Sequence, residues 1–139
     1  MNNEAATQAA TNTPITATPT RTLTVCLPDG NVIPYARLAL MLYKPMDAKN
    51  MMAHAAMGLT GEAGEYSDAI KKHIFYGKEL DTANVIEELG DIAFYLQAAC
   101  NTHGVTIEEV IQANANKLAK RYASLVYNDA DAISRRDKE

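Results

Sequence analysis

From Met46 to Glu139 the chain contains no proline, and apolar residues recur three and four positions apart over most of that length. That spacing belongs to helices that bury one face. It predicts helices over 35–42, from about 48 to 73, from Thr82 to a stop at Gly104, and from a capping box at Thr106-Ile107-Glu108-Glu109 to about Tyr127. In the third helix, Val85, Leu89, Ile92, Leu96 and Ala99 form the predicted buried stripe, and Phe75–Asp81 reads as the loop before it. Leu23–Ile33 alternates loosely around Pro28-Asp29-Gly30-Asn31, the pattern of a small hairpin. The fold class expected is all-α, a bundle of about four helices.

The first 20 residues carry six threonines, five alanines and one charge, Glu4. They offer little to bury and no apolar core flanked by Lys or Arg, so a disordered tail over 1–22 is expected rather than a signal peptide. Four stretches result: the tail 1–22, a segment 23–45 with the hairpin and a short helix, a helical domain 46–127, and a polar, frayed C-terminal tail 128–139.

Composition narrows the function classes. With 139 residues the chain suits one domain with its own core. A net charge of −4 and no long apolar run argue against a duplex nucleic acid or a membrane as partner. Cys26 and Cys100 stand apart, as expected of buried thiols in a reducing cytoplasm.

The acids carry the chemistry. Eight of the 17 fall between Glu62 and Asp91. Glu62 and Glu65 are three apart on the second helix, Glu88 and Asp91 three apart on the third, so each pair shares a helix face. A short loop makes these helices antiparallel neighbours. Facing residues in a hairpin have a constant sum of indices, and the pairs Glu62/Asp91 and Glu65/Glu88 share one, centred between Tyr76 and Gly77. Four carboxylates at one level repel unless a cation compensates them. Hard oxygen donors without Cys or paired His suit Mg²⁺, with Mn²⁺ as substitute, rather than zinc. The alternative is two solvated acidic faces on unrelated sides of the bundle. Gly58, Gly61 and Gly64 recur within the second helix, at a cost of roughly 1 kcal/mol each relative to alanine, which points to close helix approach, room for a ligand, or both.

A basic set follows. Asn114, Lys117 and Arg121 share one face of the fourth helix. If that helix folds back along the third around Gly104, Lys117 comes level with Asp91. Cations beside a Mg²⁺ cluster are what a polyphosphate requires. Lys71, Lys72 and Lys78 either join this set or form a solvated helix end. His54, two turns before Glu62, either lines the pocket or sits satisfied in the core.

These residues resemble a known family. Gly58-Leu59-Thr60-Gly61-Glu62-Ala63-Gly64-Glu65, Glu87-Glu88-Leu89-Gly90-Asp91 and Asn114-x-x-Lys117-x-x-x-Arg121-Tyr122 are similar to MazG-type nucleotide pyrophosphohydrolases of the all-α NTP pyrophosphatase group. The resemblance implies that Glu62, Glu65, Glu88 and Asp91 bind Mg²⁺ and that Asn114, Lys117 and Arg121 contact nucleotide or phosphate. It implies hydrolysis of a nucleoside triphosphate to monophosphate and pyrophosphate by a cytoplasmic homodimer or homotetramer whose subunits enclose the site together. Two departures stand out: Gly61 precedes Glu62 where many members carry a second acid, and Ala123 replaces the usual proline after Arg121-Tyr122. A narrow-specificity relative, dUTPase-like or acting on phosphoribosyl-ATP, and a non-catalytic nucleotide- or metal-binding regulator fit the same residues.

Overall fold

Asp47 opens the longest helix by accepting hydrogen bonds from the backbone N–H groups of Lys49 and Asn50, both at 3.1 Å, so its first turn is capped. In the computed structural model, which describes residues 22–138, this helix is α2 (Ala48–Tyr76), preceded by strands β1 (Thr24–Cys26) and β2 (Val32–Pro34) and helix α1 (Tyr35–Leu42). Beyond it come α3 (Thr82–His103), α4 (Ile107–Arg121), α5 (Asp129–Ser134) and one 3₁₀ turn, Arg136–Lys138. The all-α expectation holds for the described residues, the two short strands pairing only with each other as an antiparallel hairpin. The tail expected over 1–22 lies outside them except for Thr22.

Caps set most of the boundaries. Gly77 and Gly104 end α2 and α3 in the left-handed conformation that glycine adopts without strain. Thr106 and Glu109 form the reciprocal capping box of α4. Two boundaries differ from the sequence reading. Helix α2 continues through Phe75 and Tyr76, leaving only residues 77–81 as loop. Helix α4 stops at Arg121 rather than near Tyr127, because the chain turns at Tyr122 and reverses through Leu125, which has φ +56°. The C-terminal stretch expected to fray instead forms α5, capped by the Asn128 side chain, and the 3₁₀ turn.

The core lies where α1, α2 and α3 meet. Tyr43, Ala55 and Ala98 are buried, with Met46, Met51, Phe94, Tyr95 and Ala99 packed around them. The Tyr43 hydroxyl donates to the Met51 carbonyl at 3.0 Å, and the Asn101 amide donates to the Ala36 carbonyl at 3.0 Å, tying α1 to both long helices. The fully buried positions of α3 are Glu88, Gln97, Ala98 and Cys100; of the predicted stripe, Val85, Ile92, Leu96 and Ala99 are partly buried and Leu89 is 48 % exposed. The packed side of α3 carries an acid and an amide, which hydrophobic periodicity does not register. Cys100 is buried as expected, whereas Cys26 is exposed; both are free.

At Gly58 of α2 the Tyr95 ring of α3 packs so close that any Cβ would overlap it. No atom lies within 4 Å of a Cβ built on Gly64. Gly58→Ala should therefore destabilise the fold by about 1–3 kcal/mol through overpacking, outweighing the propensity gain. Gly64→Ala should be neutral or stabilising by up to about 1 kcal/mol. Chemical denaturation of both variants checks the pair, and equal effects at the two sites would contradict the assigned contact.

Candidate metal centre

The Gly58–Tyr95 contact fixes the level at which the two long helices face one another, and their acids follow from it. One turn beyond Gly58 on α2 comes Glu62, and Glu65 follows on the same face. One turn before Tyr95 on α3 comes Asp91, with Glu88 ahead of it. Gly58 and Tyr95 obey the same constant index sum as the two acidic pairs, so one register accounts for all three. The loop, residues 77–81, is centred at Glu79, later than that sum implies, because α2 runs on past the level at which α3 begins.

Glu62, Glu65 and Glu88 each offer a carboxylate oxygen, and the three oxygens lie within 4.8 Å of one another. Glu88 is only 6 % exposed, Glu62 is partly buried and Glu65 is exposed. Asp91 is exposed and lies outside this trio, but its charge is felt by Glu62. It also reaches Tyr35, whose phenol is raised first by burial and then by Asp91. The start of α1 therefore stands beside this acid.

Electrostatics mark the cluster as uncompensated. Burial, then the charges of Asp91 and Glu65, push the Glu62 carboxyl above its ordinary range, while a hydrogen bond shared with Glu88 pulls it back. Burial also raises Glu88, followed by the charges of Glu65, Glu62, Glu87 and Asp91. Among the described residues no ion pair involves any of the four acids. The donor set fits a hard divalent cation: oxygens on opposite sides of Mg²⁺ lie about 4 Å apart, given bonds of about 2.0–2.1 Å. A small contraction of the trio meets that geometry.

The remaining predicted residues are not gathered here. Every residue of α4 from 111 to 120 is exposed, so α4 does not pack back along α3. Asn114 and Lys117 consequently stand in solvent within one protomer. Arg121 is paired instead with Asp137 of the 3₁₀ turn, through bonds of 2.6 and 2.8 Å. Lys72 and Lys71 both pair with Asp68, the former at 2.8 Å, and that carboxyl is held down to about 2 chiefly by the two lysines. His54 lies between the Tyr43 and Tyr95 rings, with centroids 5.1 and 5.7 Å away. Its Nδ1 is buried without a hydrogen-bond partner, so it is not the satisfied core histidine of the simpler expectation.

Two residues escape the sequence reading. Tyr95 is signalled by its index, which completes the register with Gly58. Asp137 has no such signal, because it reaches Arg121 through a chain reversal that lacks glycine and proline.

Comparison with known proteins bears on the same helices. The MazG nucleotide pyrophosphohydrolase domain family matches residues 52–126, more than half of the chain and all of the acidic hairpin. The "Gene 37 protein" of Mycobacterium phage L5 is 33 % identical over 79 residues, covering 54 % of this chain and 69 % of that protein. No solved structure matches. With its carboxylates on two facing helices inside the matched segment, the chain belongs to the MazG nucleotide pyrophosphohydrolase domain family.

Proposed function

We propose that this protein hydrolyses a nucleoside triphosphate, ribose or deoxyribose, to the monophosphate and pyrophosphate in a Mg²⁺-dependent reaction, with Mn²⁺ as substitute, in the cytoplasm. The observation that carries this reading is the trio of carboxylate oxygens within 4.8 Å, borne by the helices that the pyrophosphohydrolase family matches. Glu62, Glu65 and Glu88 hold the cation in this reading, and Asp91, one turn from Glu88, completes the set. When bound, Mg²⁺ supplies charge neutralisation for the polyphosphate and acidifies water. A carboxylate oxygen left over from coordination accepts the proton of the attacking water. Lys117 and Arg121 grip the phosphates and Asn114 adds an amide contact.

The reading requires more than one subunit. Lys117 stands in solvent on α4 and Arg121 is held by the C-terminal turn, so a second copy is assigned the task of bringing such cations over the acids. Support comes from the unpaired apolar surface of the hairpin, where Ile74, Phe75 and Ile86 are 62 %, 74 % and 66 % exposed. A homodimer or homotetramer is the assembly that fits. No described helix is long and apolar enough to cross a membrane, and the acidic chain does not suit a nucleic-acid duplex.

Assay of pyrophosphate release across the common NTPs and dNTPs should give monophosphate plus pyrophosphate, only with Mg²⁺ or Mn²⁺. Release from dUTP alone would mark a narrow dUTPase-like enzyme. Orthophosphate plus a diphosphate as products, or no turnover on any substrate, would contradict the proposal.

Removing one charge from the cluster separates stability from function. Glu88 binds its proton more tightly in the folded chain than at its ordinary value of 4.5. Its contribution is therefore present below pH 4.5 and is lost as pH rises through the folded value. In chelator, the melting temperature of wild type should fall relative to Glu88→Gln as pH is raised from about 4.5 to neutrality. Mg²⁺, bound only by the folded state, should raise wild type more than the variant. Turnover should drop at least about 100-fold in Glu88→Gln. Full turnover, with no change of the gap with pH, would make Glu88 a structural residue.

A further inference from the structure

Asp137 holds one edge of the Arg121 guanidinium, and the neighbouring Tyr122 hydroxyl also engages the group. The arginine Nε donates to Asp137 Oδ1 at 2.6 Å and its Nη2 to Oδ2 at 2.8 Å. Guanidinium carries five N–H groups, so three lie outside the pair with Asp137, on Nη1 and on the outer side of Nη2. The Asp137 side chain has no exposed surface, whereas 19 % of the Arg121 side chain is open. A carboxylate so enclosed is part of the framework, and the arginine is the partly open member of the pair.

The chain is bent with effort to place Asp137 there. After Arg121, Leu125 adopts φ +56° and its N–H donates to the Tyr122 carbonyl at 2.8 Å. The Tyr122 and Tyr127 rings pack 5.8 Å apart, and the Asn128 side chain accepts from the Asp131 N–H at 2.8 Å to start α5. Arg135 then ends α5 at φ +47°, and Arg136 pairs with Asp131. Left-handed non-glycine residues are strained and persist where the surroundings over-determine them. What these two reversals deliver is the Asp137 carboxylate against Arg121. Among the described residues, Arg121 is also the one cation of α4 held in an ion pair, Lys117 and Lys120 having none.

We propose that Asp137 is a positioning residue: it fixes the Arg121 guanidinium side-on, so that the remaining Nη1–Nη2 edge is presented, already ordered, to a phosphate of the substrate. This rests on the reading of Arg121 as a phosphate contact. The guanidinium holds the Asp137 carboxyl down at about 2, so the clamp stays charged throughout any working pH. Ordering one long side chain in advance is worth about 0.5–1.5 kcal/mol of binding.

The test is steady-state pyrophosphate release by the full chain for wild type, Asp137→Asn, Asp137→Glu, Arg121→Ala and the double variant Arg121→Ala/Asp137→Asn, each with a melting curve. Asp137→Asn should raise KM about three- to tenfold with kcat within about twofold. Asp137→Glu should recover part of that loss, and Asp137→Asn should add nothing to Arg121→Ala. An unchanged KM in Asp137→Asn, whether or not it melts lower, would reduce the clamp to a staple for the C-terminal turn and overturn the proposal. A lowered KM would also overturn it, showing that Asp137 competes with substrate. If Arg121→Ala itself leaves KM unchanged, the phosphate reading fails and the proposal falls with it. Should Asp137→Asn fail to fold, the KM of Asp137→Glu and its coupling to Arg121→Ala decide the matter in the same way.

Discussion

Three carboxylates meet where two helices pack face to face. Part of that packing is Gly58, whose missing side chain leaves the space filled by the Tyr95 ring. One turn away, the same register forces Glu62 and Glu65 of α2 against Glu88 of α3. Burial and mutual repulsion raise Glu62 and Glu88 above their ordinary range, and among the described residues no side-chain cation pairs with them. A fold retains such repulsion where a ligand discharges it. The aromatic group of Tyr43, Phe94 and Tyr95 opposes the repulsion from the other side by burying apolar surface.

Much of this was legible in the chain itself. Helix α1, the start and end of α3, the small hairpin and the capping box all follow from local chemistry: a Pro-Asp-Gly-Asn turn, an aspartate before α3, a glycine after it, and Thr106 with Glu109. A hairpin of two helices leaves an arithmetic trace in the residue numbers; it pointed to four acids at one level, of which Glu62, Glu65 and Glu88 come together and Asp91 stays outside. Hydrophobic periodicity found the partly buried Val85, Ile92, Leu96 and Ala99 of α3 but not its most buried positions. Glu88 and Gln97 occupy its buried side, and Leu89 is turned half outward.

What was not legible depends on contacts between distant segments. The return of α4 along α3 was drawn from Gly104, but a left-handed cap ends a helix without fixing the direction of the next one. The reversal after Arg121 uses two non-glycine residues at positive φ, which composition does not announce. Arg121 was therefore read as a free cation, whereas it is half of a bidentate pair with Asp137. The separation of α4 from the acidic hairpin within one protomer gives the exposed apolar residues of α2 and α3 a purpose in the proposed assembly.

The central claim is that Glu62, Glu65 and Glu88 form a divalent-cation site. Anomalous scattering from crystals grown with Mn²⁺ tests it most directly, because the ion reports its own position without any assumption about activity. A strong anomalous peak within bonding distance of oxygens from all three residues is the predicted result. A peak elsewhere, or an ordered trio with no peak between its carboxylates at saturating Mn²⁺, would contradict the account.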